Sequence, residues 1–138
     1  MKKLISSIVS IILLLSLNMS VVAADQAMQP QPRYINISQI SSSLSISSSG
    51  RASCGGSFVL YYNYNTNLSI DLQRSKDKNS WTSISSWDKE CSSTNIGAIG
   101  KDYYVASGYY YRVVTTINVK RGSTSVETAN CTSQINYY

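Results

Sequence analysis

The acidic side chains of this 138-residue sequence are the first candidates for catalysis, and among them only Asp88 and Glu90 form a close set. Two carboxyl groups at a suitable separation can hydrolyse a glycosidic bond. Both lie in the segment WDKEC, however, and alternating acids and lysine are typical of a solvated turn. The segment SKDKNS is polar like a calcium loop but lacks the ordered oxygen ligands and the closing glutamate. We therefore expect no catalytic residue and no metal site among these acids.

The absence of histidine is equally informative. Without imidazole, the chain lacks the Ser-His-Asp triad, the Cys-His pair and the usual zinc sites. The three cysteines, Cys54, Cys91 and Cys131, include no Cys-x-x-Cys pair. We therefore predict that the protein is not an enzyme and that it uses no cofactor.

The N-terminal segment has the features of a secretory signal peptide. Lys2 and Lys3 precede an apolar run, Leu4–Leu17, and small residues follow at 22–24. This pattern predicts a signal helix in residues 1–24 that is cleaved after Ala24. The alternative is an uncleaved anchor, because the apolar segment is almost long enough to span a bilayer of about 30 Å. The small residues and the missing basic flank favour cleavage.

Export would place the rest of the chain in an oxidising compartment, where three cysteines allow one disulfide. We predict a flexible leader at residues 25–33, which contain both prolines, and one folded domain at residues 34–138. The net charge of +5 falls by two on cleavage and is too small to indicate nucleic-acid binding. It is compatible with a weak attraction to anionic cell-wall polymers. We therefore expect a secreted protein, free or loosely attached to the cell wall, without stable membrane insertion after cleavage.

From Tyr34 onward, apolar and polar residues alternate with period two, which indicates β-strands. The apolar positions change from odd to even numbers near Ser38–Gln39, as the isoleucines and leucine show: Ile35, Ile37, then Ile40, Leu44, Ile46. A change of phase of this kind predicts a bulged strand. A flexible linker is the alternative for so serine-rich a segment.

Further alternating segments follow, separated by turns. Asn63–Asn67 predicts a turn, Leu68–Trp87 predicts a hairpin, and a weaker strand is expected around Asn95–Val105. The stretch after Gly108 alternates again, turns at KRGS and returns antiparallel. About seven short strands at this spacing predict an all-β fold, a single antiparallel β-sandwich of two sheets.

Two segments, IDLQRSKDKNSWTSI and VASGYYYRVVTTINVKRGSTS, resemble the C–C′ and F–G hairpins of fibronectin type III-like modules in bacterial surface proteins. Such immunoglobulin-like domains place a leucine-like residue six positions before a corner tyrosine and a β-branched residue two positions after it. Val105, Tyr111 and Val113 fit this spacing. The resemblance implies that the Tyr111 hydroxyl bonds to the backbone at the corner. The usual tryptophan of the second strand is replaced by Phe58 or Leu60.

The whole chain also resembles a family of small secreted proteins from low-GC Gram-positive bacteria, known as a domain of unknown function. The likeness lies in a signal peptide followed by one β-domain with LQ…W…W and GYYYR segments. It supports export and implies no particular chemistry.

The segment GYYYR separates expected core residues from expected surface residues. Tyr109 and Tyr111 face inward on the predicted sandwich, whereas Tyr110 and Arg112 face outward. Aromatic residues and arginine are favoured at interfaces, so we expect a binding surface that consists of Tyr110, Arg112, Trp87 and Tyr61. Ordinary cross-strand pairing of exposed tyrosines is the alternative. Of the two tryptophans, we expect Trp81 in the core and Trp87 at the surface, where its ring could stack on a sugar.

The strand order suggests which cysteines pair. Cys54 begins the second strand and Cys131 lies late on the last strand, at the same end of the predicted sandwich. We therefore expect a Cys54–Cys131 disulfide and a free thiol at Cys91. A regular register would pair Arg112 with Cys131 and turn Cys131 outward, which argues against this disulfide. A free Cys91 could bridge two chains, or it could be a buried, inert thiol.

The sequence therefore predicts a non-catalytic extracellular binding module whose partner is a protein or a glycan. A structural or self-associating cell-surface protein, dimeric through Cys91, is the alternative. A small secreted toxin or bacteriocin-like effector is a third hypothesis, supported only by size and basicity.

Overall fold

The computed structural model describes residues 33–138, which form six β-strands. In chain order, they are β1 (Ile37–Ile46), β2 (Arg51–Ser75), β3 (Thr82–Tyr104), β4 (Tyr110–Arg121), β5 (Thr124–Thr132) and β6 (Asn136–Tyr137). The predicted all-β class is confirmed. Within these residues, no helix of the length and hydrophobicity needed to cross a membrane is present. The predicted signal helix, its cleavage after Ala24 and the leader up to Pro32 lie outside the described residues.

All six strands belong to one antiparallel sheet built around β2. β3 pairs with β2 along almost its whole length. The opposite edge of β2 pairs first with β1, over residues 52–60, and then with β4, over residues 65–75. The far edge of β4 pairs with β5 and β6.

A bend in the middle of the sheet brings its two halves face to face. The pairing of β2 with β3 shifts register between Val59 and Thr66, and Tyr61–Asn63 are exposed at the bend. A Cβ atom on Gly56 would lie 2.6 Å from side-chain atoms of Ile70 and Thr115, which belong to the other half. The sheet is therefore curled into a half-barrel with the core inside it.

The bend divides the sheet into two halves. The first half-sheet contains β1, residues 51–60 of β2 and residues 96–104 of β3. The second half-sheet contains residues 82–91 of β3, residues 65–75 of β2, and β4, β5 and β6. The described residues thus form one curled sheet of six strands, in place of the two sheets of about seven strands expected from the sequence. The difference arises because Asn63–Asn67, predicted as a turn, lies inside the continuous β2.

The core follows the predicted alternation closely. On either side of the bend in β2, and along β4, every second residue is buried between the half-sheets: Ala52, Cys54, Gly56, Phe58, Leu60, Leu68, Ile70, Leu72, Tyr111, Val113, Thr115 and Ile117. Tyr62, expected on the same face as Leu60, is 71% exposed because it lies at the bend. The Tyr111 hydroxyl donates a hydrogen bond of 2.6 Å to the Ala106 carbonyl, which confirms the predicted corner contact. The predicted change of phase in β1 is also confirmed, as a register shift between Ile37 and Gln39.

The β4–β5 hairpin differs from the expected register. Gly122 has a φ of 64°, a backbone conformation that favours glycine, and a further register shift lies between Val119 and Lys120. As a result, Cys131 pairs with Thr115 rather than with Arg112. Because directly opposite residues share a face of the sheet, Cys131 lies on the same face as the buried Thr115.

Candidate functional site

The turn between β2 and β3 is organised by one carboxylate. Asp77 Oδ1 accepts hydrogen bonds from the backbone N–H groups of Ser80 (2.8 Å) and Asn79 (2.9 Å) and from the Ser75 hydroxyl (2.9 Å). These donors favour the ionised carboxylate, so they lower the pKa of Asp77 from 3.8 to about 2. The turn is therefore an ordered platform rather than only a solvated loop.

This turn places two side chains against β4. The Trp81 Nε1–H donates to the Lys78 carbonyl at 3.0 Å, which fixes the indole beside the turn. The Arg112 guanidinium carbon lies 4.2 Å from the centre of the Trp81 ring, and the Lys78 ammonium lies 4.4 Å from the centre of the Tyr110 ring. The Tyr110 and Tyr137 rings are 4.9 Å apart. We call these five residues, Lys78, Trp81, Tyr110, Arg112 and Tyr137, the cation–aromatic surface.

The strand register explains why these residues meet. Arg112 pairs with Gln73, and Tyr110 pairs with both Ser75 and Tyr137. The Arg112 Nε–H donates to Gln73 Oε1 at 2.8 Å, which orients the guanidinium. Within residues 33–138, no carboxylate forms an ion pair with Arg112, so its terminal N–H groups remain available to an external acceptor.

The same end of the molecule carries two further cations. The Arg74 guanidinium carbon lies 4.8 Å, and the Lys76 ammonium 5.3 Å, from the centre of the Tyr109 ring. The described residues thus contain four cation–π contacts at one end of the sheet, whereas such contacts average roughly one per 70–80 residues. The enrichment marks this end as aromatic and positively charged.

The structure brings together two of the four predicted surface residues. Tyr110 and Arg112 are adjacent and partly exposed. Tyr61 is 58% exposed at the bend in β2, far along the strand from Gln73. Trp87 packs against the core and meets Tyr103 edge to face, with ring centres 6.1 Å apart.

The predicted roles of the two tryptophans are therefore reversed. Trp87 pairs with Ile70, a buried residue, so it shares the inner face of the sheet. Trp81 instead lies beside Arg112, whose neighbour Gln73 is on the outer face. Sequence reasoning missed Lys78, whereas Tyr137 was expected to be exposed and is so. The available signal for Lys78 was its place in the polar turn of the predicted hairpin, at the end of β2 where Ser75 pairs with Tyr110.

The cysteines do not form the predicted disulfide. All three are free: Cys54 lies between Leu44 and Lys101 in the first half-sheet, whereas Cys131 pairs with Thr115 in the second. Burial, and secondarily the nearby Asp102 charge, raises the pKa of Cys54 from 9.0 to about 11, so its thiol is protonated at neutral pH.

Cys91 is free and only 8% exposed. A Cβ atom on Gly97 would lie 3.1 Å from its sulfur and still closer to Phe58, so the thiol is packed inside the bend. Of the three sulfurs, that of the partly exposed Cys131 is the most accessible. This burial favours the buried, inert thiol over a bridge between two chains through Cys91.

The two acids that form a close set in the sequence lie on a strand. Asp88 and Glu90 lie within β3, not in the expected turn. Glu90 Oε1 accepts from Asn67 Nδ2 at 2.8 Å and from Lys120 Nζ at 3.2 Å, and these contacts lower its pKa. Residues 33–138 contain no group of three metal-ligating side chains.

Comparison with known proteins gives no match to a protein-family model and none to a curated protein. The likeness to fibronectin type III-like modules and to the secreted Gram-positive family therefore stays a prediction.

Proposed function

We propose that this protein is an exported, non-catalytic binding module that binds an acidic extracellular glycan on the cation–aromatic surface. One observation carries the proposal: Arg112 is held over Trp81, next to Tyr110 and Lys78, without an acidic partner in residues 33–138. Export is supported by the predicted signal peptide in residues 1–24.

The chemistry of this surface fits such a ligand. A guanidinium donates two parallel hydrogen bonds to a carboxylate, sulfate or phosphate, and it also stacks on aromatic rings. The apolar faces of Trp81 and Tyr137 offer contact area to the C–H face of a sugar ring, while the Tyr110 hydroxyl offers a polar contact. Because the charges are partly exposed, binding should weaken as the salt concentration rises.

We further propose that the curled sheet is a variant of the immunoglobulin-like or fibronectin type III-like fold. The support is the Tyr111 corner, whose hydroxyl bonds five residues upstream, together with a core that lies between two facing halves. In such a domain, the ends of the sheet are free to carry a ligand site, which matches the position of the cation–aromatic surface.

Calorimetric titration with polygalacturonate, a polymer of carboxylated sugars, tests the function. We expect binding by the wild type at low salt and no binding to neutral dextran. Arg112→Gln should weaken binding by about tenfold or more, since a hydrogen bond to a charged group contributes roughly 1.5–3 kcal/mol. Trp81→Ala should weaken it as well.

Lys101→Gln is the matched control, because it removes the same charge from an exposed position in the first half-sheet. Equal losses in Arg112→Gln and Lys101→Gln would show that only net charge matters. Equal binding of polygalacturonate and dextran would contradict recognition of acidic groups.

A further inference from the structure

We propose that the last part of β3, residues 96–104, is a self-pairing edge that joins two copies of this chain through an antiparallel strand pair. This proposal does not depend on the glycan-binding function. β3 pairs with β2 on one side only, and within residues 33–138 no strand covers its other side. An uncovered strand presents unpaired N–H and C=O groups, for which another strand is the natural partner.

Two hydrogen bonds show which backbone groups face the uncovered side. The Lys89 ammonium donates to the Ala98 carbonyl at 3.1 Å, although Ala98 lies opposite Ser57 in the β2–β3 pair. The Val105 N–H donates to the Gly50 carbonyl, next to the β2–β3 pairs, at 2.8 Å, so Val105 points towards β2 and the Ala98 carbonyl, an odd number of residues away, points away from it. In an antiparallel pair, the N–H and C=O of one residue point to the same side, and this alternates with period two. The groups that face the uncovered side are thus those of Ile96, Ala98, Gly100, Asp102 and Tyr104.

The first half of this edge lacks the features that keep edge strands apart. Residues 96–100 contain no charged side chain and no proline, and the charges of the edge are confined to Lys101 and Asp102, whereas natural edges usually carry lysine, proline or a bulge. Ile96 is 64% exposed and Tyr104 is 72% exposed. Lys89 covers only a single carbonyl, and as an exposed side chain it can be displaced.

A pairing centred on Gly100 makes the edge complementary to itself. In this register, a residue that precedes Gly100 in one copy lies opposite the residue that follows Gly100 by the same number of positions in the other copy. Ile96 of each copy therefore lies opposite Tyr104 of the other. These two apolar pairs lie on the outer face, and such cross-strand contacts stabilise a sheet. On the inner face, Tyr103 lies opposite Gly97, an aromatic–glycine pair that shields the exposed glycine backbone.

The charges agree with the same register. Lys101 lies opposite Ile99, and Asp102 lies opposite Ala98, so no like charges face each other. In this register, the Lys89 ammonium that leaves the Ala98 carbonyl lies near Asp102 of the other copy, whose carboxylate also pairs with Arg51 of its own chain. The two-fold symmetry of the pair gives two such contacts between opposite charges, one at each end. This complementarity favours a second copy of this chain over an unrelated strand as the partner.

Gly100 offers a direct test because a side chain is tolerated there. A Cβ atom would have one neighbour within 4 Å, the Cys54 carbonyl at 4.0 Å. Gly100→Lys places two ammonium groups opposite each other at the symmetry axis. We expect sedimentation equilibrium to show a concentration-dependent dimer for the wild type, and a dissociation constant raised about tenfold or more for Gly100→Lys, since opposed like charges repel.

Ser45→Lys, an equal charge change at an exposed position of β1, should leave the dimer intact. A wild type that stays monomeric up to about 1 mM would overturn the proposal. So would an unchanged dimer in Gly100→Lys, or an equal loss in Ser45→Lys. If circular dichroism shows that Gly100→Lys does not fold, Ile96→Lys takes its place: it removes both Ile96–Tyr104 contacts, so the dissociation constant of the dimer should again rise.

Cross-linking provides a positive test of the register. In the Cys131→Ser background, Gly100→Cys puts two thiols opposite each other, with Cα atoms about 5.5 Å apart, a separation that a disulfide spans. Mild oxidation should give a dimer band on a non-reducing gel that reductant removes. Ser45→Cys in the same background should stay monomeric. Absence of the Gly100→Cys dimer, or equal cross-linking of both variants, would refute the register.

Discussion

Gly56 tests whether the two half-sheets pack against each other as closely as the structure shows. In Gly56→Ala, the new Cβ atom would lie 2.6 Å from Ile70 Cγ2, 2.6 Å from Thr115 Oγ1 and 2.7 Å from Thr115 Cγ2. Carbon atoms in contact are normally about 3.5–4.0 Å apart. The half-sheets would therefore have to separate locally by roughly 1 Å.

The expected cost follows from this overlap. Overpacking a well-filled core typically costs about 1–3 kcal/mol, and 1 kcal/mol corresponds to a fall in Tm of roughly 4–8 °C in a domain of this size. Replacing glycine by alanine without strain has the opposite effect, about 0.4–1 kcal/mol of stabilisation, because the unfolded chain loses freedom. Gly56→Ala should therefore be clearly destabilised despite that gain.

Gly100→Ala is the matched control in the neighbouring strand. Its Cβ atom would meet only the Cys54 carbonyl, at 4.0 Å, so we expect unchanged or slightly higher stability. Urea unfolding followed by circular dichroism measures both variants. If Gly56→Ala were as stable as Gly100→Ala, the half-sheets would not be in contact at this point and the curled packing would be wrong.

Three further predictions concern other contacts. Tyr111→Phe removes the hydrogen bond to Ala106 and should lower the free energy of unfolding by about 0.5–1.5 kcal/mol, whereas Tyr104→Phe, at an exposed ring, should change nothing; equal urea midpoints would refute the corner contact. In the native protein, a thiol reagent should modify Cys131 first, and Cys54 only on unfolding; rapid native labelling of Cys54 would contradict its burial. Because the pKa of Cys54 is raised to about 11 in the folded state, its contribution to stability is complete below pH 9 and is lost as the pH rises towards 11. The wild type should therefore lose more stability over this range than Cys54→Ala, as measured by urea unfolding, and equal losses would contradict the shift.

The strands that are buried on one face could be predicted from the sequence, because their residues alternate between apolar and polar types. The inward faces of β2 and β4, the hairpin from Leu68 to Trp87 and the bulge before Gln39 were all visible in this way. The corner hydrogen bond of Tyr111 was implied by a family resemblance and is present.

Other features depend on contacts that alternation does not encode. The polar run Asn63–Asn67 is typical of a turn, but long-range pairing with β3 and β4 keeps it within β2. A register shift near Val119 decides on which face of the sheet Cys131 lies. One extra residue in a strand moves the following side chains to the opposite face, so Cys131 lies on the inner face rather than the outer one. The cation–aromatic surface joins the β2–β3 turn, β4 and the chain's last strand, so local patterns revealed only Tyr110 and Arg112.

Binding of an acidic glycan at the cation–aromatic surface is measured most directly from the two indole N–H signals, in a nuclear magnetic resonance titration with polygalacturonate oligomers. The chain has two tryptophans, and Trp87→Phe assigns their signals. Ligand binding at the cation–aromatic surface should shift the Trp81 signal, whose N–H donates to the Lys78 carbonyl, and leave that of Trp87 in place. A stationary Trp81 signal at saturating oligomer, or a larger shift at Trp87, would contradict the account.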